Sequence, residues 1–158
     1  MADPGCRGAL VVLSGLPGVG KTTVARLLSS AVGAVHLRID TIETAMVESG
    51  IVAAAGGWDS APDIAAHAGV PVINVEIVCT DIAVHRSRVE ERASDLTGLV
   101  VPTWEQVQRR EYEPWTTPVL RVDSARGVEQ SVREVAATIV AALQPGTGGK
   151  FPAPQLSD

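Results

Sequence analysis

Apolar residues recur along the chain with two different periods. Ala9–Ser14 (ALVVLS) is a short, partly β-branched run and predicts a strand. From Lys21 to Val32, the apolar residues Val24, Leu27, Leu28, Ala31 and Val32 fall at i, i+3, i+4, i+7 and i+8, the spacing of one buried helix face. Gly33 follows in the position that ends helices in the left-handed conformation. Val35–Ile39 (VHLRI) predicts a second strand ending at Asp40, and Asp40 with Glu43 forms a capping-box-like pair for a helix over Ile42–Ser49. Ile51–Ala55 reads either as a short buried strand or as the tail of that helix, because periodicity cannot decide for so short a run. Ser60 and Asp63 open a helix over Ala61–Ala68 that Gly69 stops.

Val70–Val78 (VPVINVEIV) predicts a strand with Pro71, Ile73, Val75 and Ile77 on one face and Asn74 and Glu76 on the other, so the second face is not wholly dry. Thr80–Asp81 caps a charged helix from Ile82 to about Leu96, followed by a loop to Pro102. Thr103 and Gln106 cap a helix running to Glu113, where Pro114 stops it. Val119–Asp123 is the last strand. Val128, Val132, Val135, Ala136, Ile139, Val140 and Leu143 then mark the face of a final helix, ended by Pro145 and Gly146. Strands alternating with helices predict an α/β fold with a parallel sheet covered on both sides. One domain spans residues 1–144, and the Gly- and Pro-rich residues 145–158 read as a disordered tail. In such sheets ligands bind beyond the carboxyl ends of the strands, so Asp40, Asp81 and Asp123 are expected to open toward one edge.

Composition narrows the class. Apolar residues make up 46% of the chain, aromatics only 3%, and the net charge is −5. The core therefore rests on aliphatic side chains, and general binding to nucleic acid is disfavoured. No apolar stretch is long enough to span a membrane, and no signal peptide is recognised, so the expectation is a cytoplasmic protein. Cys6 and Cys79 lack metal-ligand spacing, as do His36, His67 and His85; each histidine reads as a surface or satisfied side chain. Trp58, Trp104 and Trp115 read as packing residues, with Tyr112 and Trp115 as candidate anchors of a lid.

Between the first strand and the first helix lies GLPGVGKT, Gly15–Thr22, a full match to G-x-x-x-x-G-K-[ST] in the strand–loop–helix context that gives the motif meaning. Backbone N–H groups along Gly15, Leu16, Pro17, Gly18, Val19, Gly20 and Lys21 are placed to cradle a polyphosphate, proline contributing no N–H. The helix start, carrying Thr22 and Thr23, adds unpaired N–H groups and the positive end of its dipole. Lys21 is the candidate charge on the β- and γ-phosphates, and Thr22 the candidate Mg²⁺ ligand. With no N-K-x-D element the nucleotide reads as ATP rather than GTP, and with no G-x-G-x-x-G a dinucleotide fold is unsupported.

Asp40, just after the second strand, is the candidate acid on the acceptor side, a role compatible with capping a helix. Arg86, Arg88, Arg92, Arg109 and Arg110 cluster in the region from residue 82 to 115, a candidate lid. Arg88 and Arg92, four apart, are placed to address one phosphate together, while interleaved Glu90, Glu91 and Asp95 would pair the remaining arginines. The turn Asp123–Gly127, with Arg126, is expected to border the adenine.

The segments GLPGVGKTTVARLL, LRIDTIE, VPVINVEIVCTD and HRSRVEERASDLTGLVVPTWEQVQRREYEPW together resemble small bacterial P-loop kinase-like proteins of the AAA-family ATPase or zeta-toxin-like group, near the gluconate, shikimate and chloramphenicol phosphotransferases. The resemblance runs from about Leu10 to Leu143. It implies a three-layer P-loop NTPase fold with a parallel sheet of four or five strands, in the family order 2-3-1-4-5. It also implies ATP and Mg²⁺ as ligands, a small-molecule acceptor, and catalytic roles for Lys21, Asp40, and Arg88 or Arg92. Relatives carry a further helix and an acid-ended strand where this chain passes from Gly50 almost directly to Trp58, a shortening of roughly 30 residues, the size of a βαβ crossover. Either Ile51–Ala55 serves as the third strand with Asp59 in place of the missing acid, or the sheet has four strands. The enzyme expected is an ATP-dependent phosphotransferase; a nucleotide binder with impaired catalysis is the alternative.

Overall fold

The computed structural model describes residues 8–39, 41–42, 65, 67–91, 101–112, 115 and 117–143. Its elements are β1 (Leu10–Ser14), α1 (Lys21–Val32), β2 (Val72–Val78), α2 (Ile82–Glu90), α3 (Trp104–Gln108), β3 (Leu120–Asp123), a 3₁₀ turn (Ser124–Arg126) and α4 (Val128–Leu143). The strands form a parallel sheet in the order β1-β2-β3. Leu10 pairs with Val72 and Ser14 with Glu76, while Val75 pairs with Leu120 and Val78 with Asp123. This order matches the 1-4-5 half of the expected sheet.

Strand alternation sorts β2 onto two surfaces. Ile73, Val75 and Ile77 are fully buried and meet Val24 and Leu28 of α1, Val122 of β3, and Val135 and Ile139 of α4 in one cluster. Each such side chain, fully buried, contributes roughly 1.5–3 kcal/mol relative to exposure. The helix stripes are narrower than their spacing suggests. Leu27 and Val32 of α1 lie outside the core, and Val140 of α4 is 57% exposed although it falls on the expected apolar face. Ser131 is fully buried on α4 instead, its hydroxyl donating to the Gly127 carbonyl at 3.1 Å.

Several boundaries follow local chemistry. Gly33 takes φ 67° and ends α1 with its N–H on the Ser29 carbonyl. Gly69, at φ 70°, closes the helical turn before β2, with the Val70 N–H reaching back to the Ala65 carbonyl at 2.9 Å. Asp81 caps α2 by accepting from the Val84 N–H. Both arms of the Thr103–Gln106 capping box are made.

Two expectations are corrected. Val35–Ile39 is not a strand: Val35, Leu37 and Ile39 are 86%, 71% and 46% exposed, and a helical turn begins there with the Ile42 N–H on the Arg38 carbonyl. An alternating run becomes a strand only where a sheet edge accepts its ladder, and among the described residues none pairs with it. The helix opened by Thr103 ends at Gln108, short of Glu113, because Arg109 closes it with an N–H shared between the Glu105 and Val107 carbonyls. On α2 the described helix stops at Glu90, with Glu91 as its C-cap. Asp40, Glu43–Ser49, Ile51–Ala55, Asp59, Ala61–Ile64, Arg92–Leu96, Pro114 and the tail from Gln144 lie outside the described residues.

Candidate active site

The loop from Gly15 to Gly20 is shaped by what surrounds it. Gly15 has φ 135°, and a Cβ there would collide with the carbonyl oxygen of Ile77 on β2. The strand backbone thus passes directly against the loop, which no larger residue permits. Val19 is buried in the core cluster and pins the loop's far side. Gly20 is the N-cap of α1, in the left-handed region and without a side chain to cap it, so no side-chain acceptor covers the first N–H groups of the helix. Lys21 Nζ donates to the carbonyls of Gly15 at 2.8 Å and Leu16 at 3.0 Å, spanning the loop from within. Thr22 and Thr23 are exposed on the first turn of α1. The arrangement is chemically suited to an anion: helix N–H groups, an ammonium at the loop mouth, and no carboxylate in the first turn.

The helix α2 lies against the outside of this loop. A Cβ on Gly18 would strike Val89 Cγ2 and come within 3.3 Å of the His85 ring. His85 is buried, its Nε2 is 2.8 Å from the Pro17 carbonyl, and its ring meets Trp104 edge-on at 5.1 Å. With a carbonyl as partner, Nε2 is the protonated nitrogen. His85 is satisfied, as its sequence context suggests, but by the loop itself. The readable sign of this is that His85 and Val89, four apart, form the buried side of an otherwise polar helix.

Arg88 is held rather than free. Its guanidinium donates to the Ser124 hydroxyl at 2.9 Å and to the Ser124 carbonyl at 3.4 Å, with Cys79 Sγ at 3.7 Å. Ser124 is also the nearest neighbour of Gly20, its Oγ lying 4.0 Å from where a Cβ would stand. Arg88 is therefore linked to the loop's end through one serine. Arg126, by contrast, is exposed and lies 3.9 Å from Asp123. Asp123 ties β2 to β3 by accepting from the Thr80 N–H at 3.1 Å, the Thr80 hydroxyl at 2.6 Å and the Ala125 N–H at 3.0 Å. Burial pushes its carboxyl upward, but the Thr80 hydroxyl, the two N–H donors and Arg126 outweigh that and hold it below the usual range. Asp40 and Arg92 lie outside the described residues.

At the carboxyl end of β2 a cleft of about 260 Å³ opens beside Gly15 and Leu16, with Val19, Ile77 and Val78 as its apolar walls and Glu76, Thr80, Tyr112 and Arg121 as its polar ones. Glu76 lines it, its side chain 13% exposed, with Arg121 Nε 3.5 Å from Oε2. The Tyr112 hydroxyl donates to Ser14 Oγ and accepts from Trp115 Nε1, both at 3.3 Å. Tyr112 and Trp115 thus anchor their segment to the end of β1. Among the described residues no cluster of three or more His, Cys, Asp or Glu is arranged to hold a metal. No described helix is long and apolar enough to cross a membrane.

A scan of protein-family models and a search of curated proteins find no match to the chain. Among solved structures it is similar to an unliganded sugar kinase from Janibacter sp. HTCC2649, at 20% identity, with 86% of this chain and 96% of that chain covered and a TM-score of 0.52. The chain has a P-loop kinase-like fold. A gluconokinase from Sinorhizobium meliloti 1021 aligns at 20% identity over 85% of this chain and 93% of that one, with a TM-score of 0.45. Within the P-loop kinase-like fold, the described residues supply the strand that carries the loop, its neighbour β2 and, beyond that, β3.

Proposed function

We propose that the protein is an ATP-dependent phosphotransferase acting on a hydroxyl of a small molecule. The observation that carries this reading is the uncapped start of α1, with Lys21 held at the loop mouth by the Gly15 and Leu16 carbonyls. In this reading the ammonium exchanges those carbonyls for β- and γ-phosphate oxygens, and the loop N–H groups hold the remaining charge. Thr22 and Thr23 lie on the same turn, Thr22 as the Mg²⁺ ligand. Arg88 contributes fixed positive charge beside the loop through Ser124, and Arg92 is the second candidate. Asp40 takes the acceptor proton. Bound Mg·ATP supplies the phosphoryl group, whose bond to the β-phosphate is exchanged for one to the acceptor oxygen, leaving ADP. The kinase-like fold supports the same reaction class. Arg126 is the candidate contact to the adenine side.

The test is transfer of label from γ-labelled ATP to small molecules of a metabolite extract. Transfer is expected from the native chain and is lost in Lys21→Ala and in Asp40→Asn. A native chain that binds Mg·ATP no better than Lys21→Ala sinks the reading.

A further inference from the structure

We infer that the cleft beside Gly15 and Leu16 is the acceptor subsite, and that it takes a neutral, hydroxyl-rich small molecule whose hydroxyls donate to Glu76; this rests on the phosphotransfer reading above. The position comes first. The two residues whose carbonyls hold Lys21 Nζ are also walls of the cleft, so a molecule in it sits against the loop segment that Lys21 bridges. The volume, about 260 Å³, lies at the small end of ligand sites.

The lining then selects the chemistry. The Glu76 carboxylate is acceptor-only and largely shielded from water, and no hydrogen bond reaches it among the described residues. Arg121, 3.5 Å away and 69% exposed, balances its charge without covering it. A pair of this kind adds little to fold stability. An apolar ligand would strip water from Glu76 and return no hydrogen bond. An anionic ligand would meet a carboxylate whose balancing guanidinium is mostly in solvent. A polyol replaces water at Glu76 with hydroxyl donors. The Tyr112 and Thr80 hydroxyls, whose protons go to Ser14 Oγ and to Asp123 Oδ2, offer further acceptor capacity on the same walls.

Saturation-transfer NMR on the full chain, with a panel of hexitols, aldohexoses and aldonic acids and without nucleotide, tests this. At least one uncharged member is expected to bind, more tightly than the acid of the same carbon number. Glu76→Gln is expected to weaken that binding at least tenfold and Tyr112→Phe a few-fold, with Mg·ATP affinity unchanged in both and Tm unchanged in Glu76→Gln. Tyr112→Phe keeps the test open should Glu76→Gln alter folding. Absence of binding by every uncharged member, preference for the acids, or wild-type affinity in both variants overturns the subsite. Mg·ATP binding without polyol binding sinks the subsite alone. Glu76-dependent polyol binding without Mg·ATP binding supports the cleft and sinks the phosphotransfer reading.

Discussion

Ile73, Val75 and Ile77 of β2 point into the layer filled by α1 and α4, whereas Asn74 and Glu76, interleaved with them, face Thr117 and Arg121. The first set is sealed from water. The second is half-open, hydrogen-bonded or ion-paired, and borders the cleft. The same backbone segment thus presents sealed aliphatic side chains on one surface and partnered polar ones on the other. Changes on the two surfaces should be separable by what they alter.

The largest expected effect is on the apolar surface. Ile73→Ala should cost about 2–5 kcal/mol, because it opens a cavity between fully packed layers. Asn74→Ala, one residue along, should stay within about 0.5 kcal/mol. Urea unfolding midpoints decide, and equal losses would erase the contrast between the faces. At the loop, Lys21→Ala should reduce phosphoryl transfer by about 10²–10³-fold, the scale of one lost transition-state contact, with an unchanged unfolding midpoint. A shifted midpoint would make Lys21 a structural brace through its two carbonyl contacts.

A smaller effect is expected beyond the sheet. Thr103→Ala removes one arm of the capping box on α3 and should cost about 0.5–2 kcal/mol. A thermal melt that does not move would mean that this short helix is held by Val107 and Trp104 alone. The smallest effect concerns pH. The Asp123 carboxyl lies below its ordinary range in the folded protein, so its share of stability is present above the unfolded value and lost as pH falls through the folded one. Thr80→Val removes the 2.6 Å hydroxyl donor and should lower stability slightly at neutral pH and move acid unfolding to higher pH. An unmoved acid midpoint would assign the low value to the backbone donors.

The sequence carried much of this. Strand, glycine loop and α1 were legible because the motif and the helical spacing are both local. The ends at Gly33 and Gly69 and the caps at Asp81 and Thr103 were legible for the same reason. Val35–Ile39 failed because a strand also needs a neighbour, which no single run encodes. Val140 failed because helical spacing gives the angle of a side chain and not which of those angles a neighbouring element covers. The contacts of His85 with Pro17, Arg88 with Ser124 and Tyr112 with Ser14 join residues 68, 36 and 98 positions apart. Such pairings arise from the crossovers of a parallel sheet and leave no local pattern. The mixed face of β2 did announce itself, since Asn74 and Glu76 interrupt an otherwise apolar run.

The grip of α2 on the loop has a dynamic consequence. With His85 bonded to Pro17 and Val89 packed over Gly18, the helix cannot lift without freeing the crest of the loop. The two segments should open as one cooperative unit, and amide exchange at Val19 and Gly20 should keep pace with that of the α2 backbone rather than with the sheet. A ligand that clamps the loop would then quieten a helix it never touches.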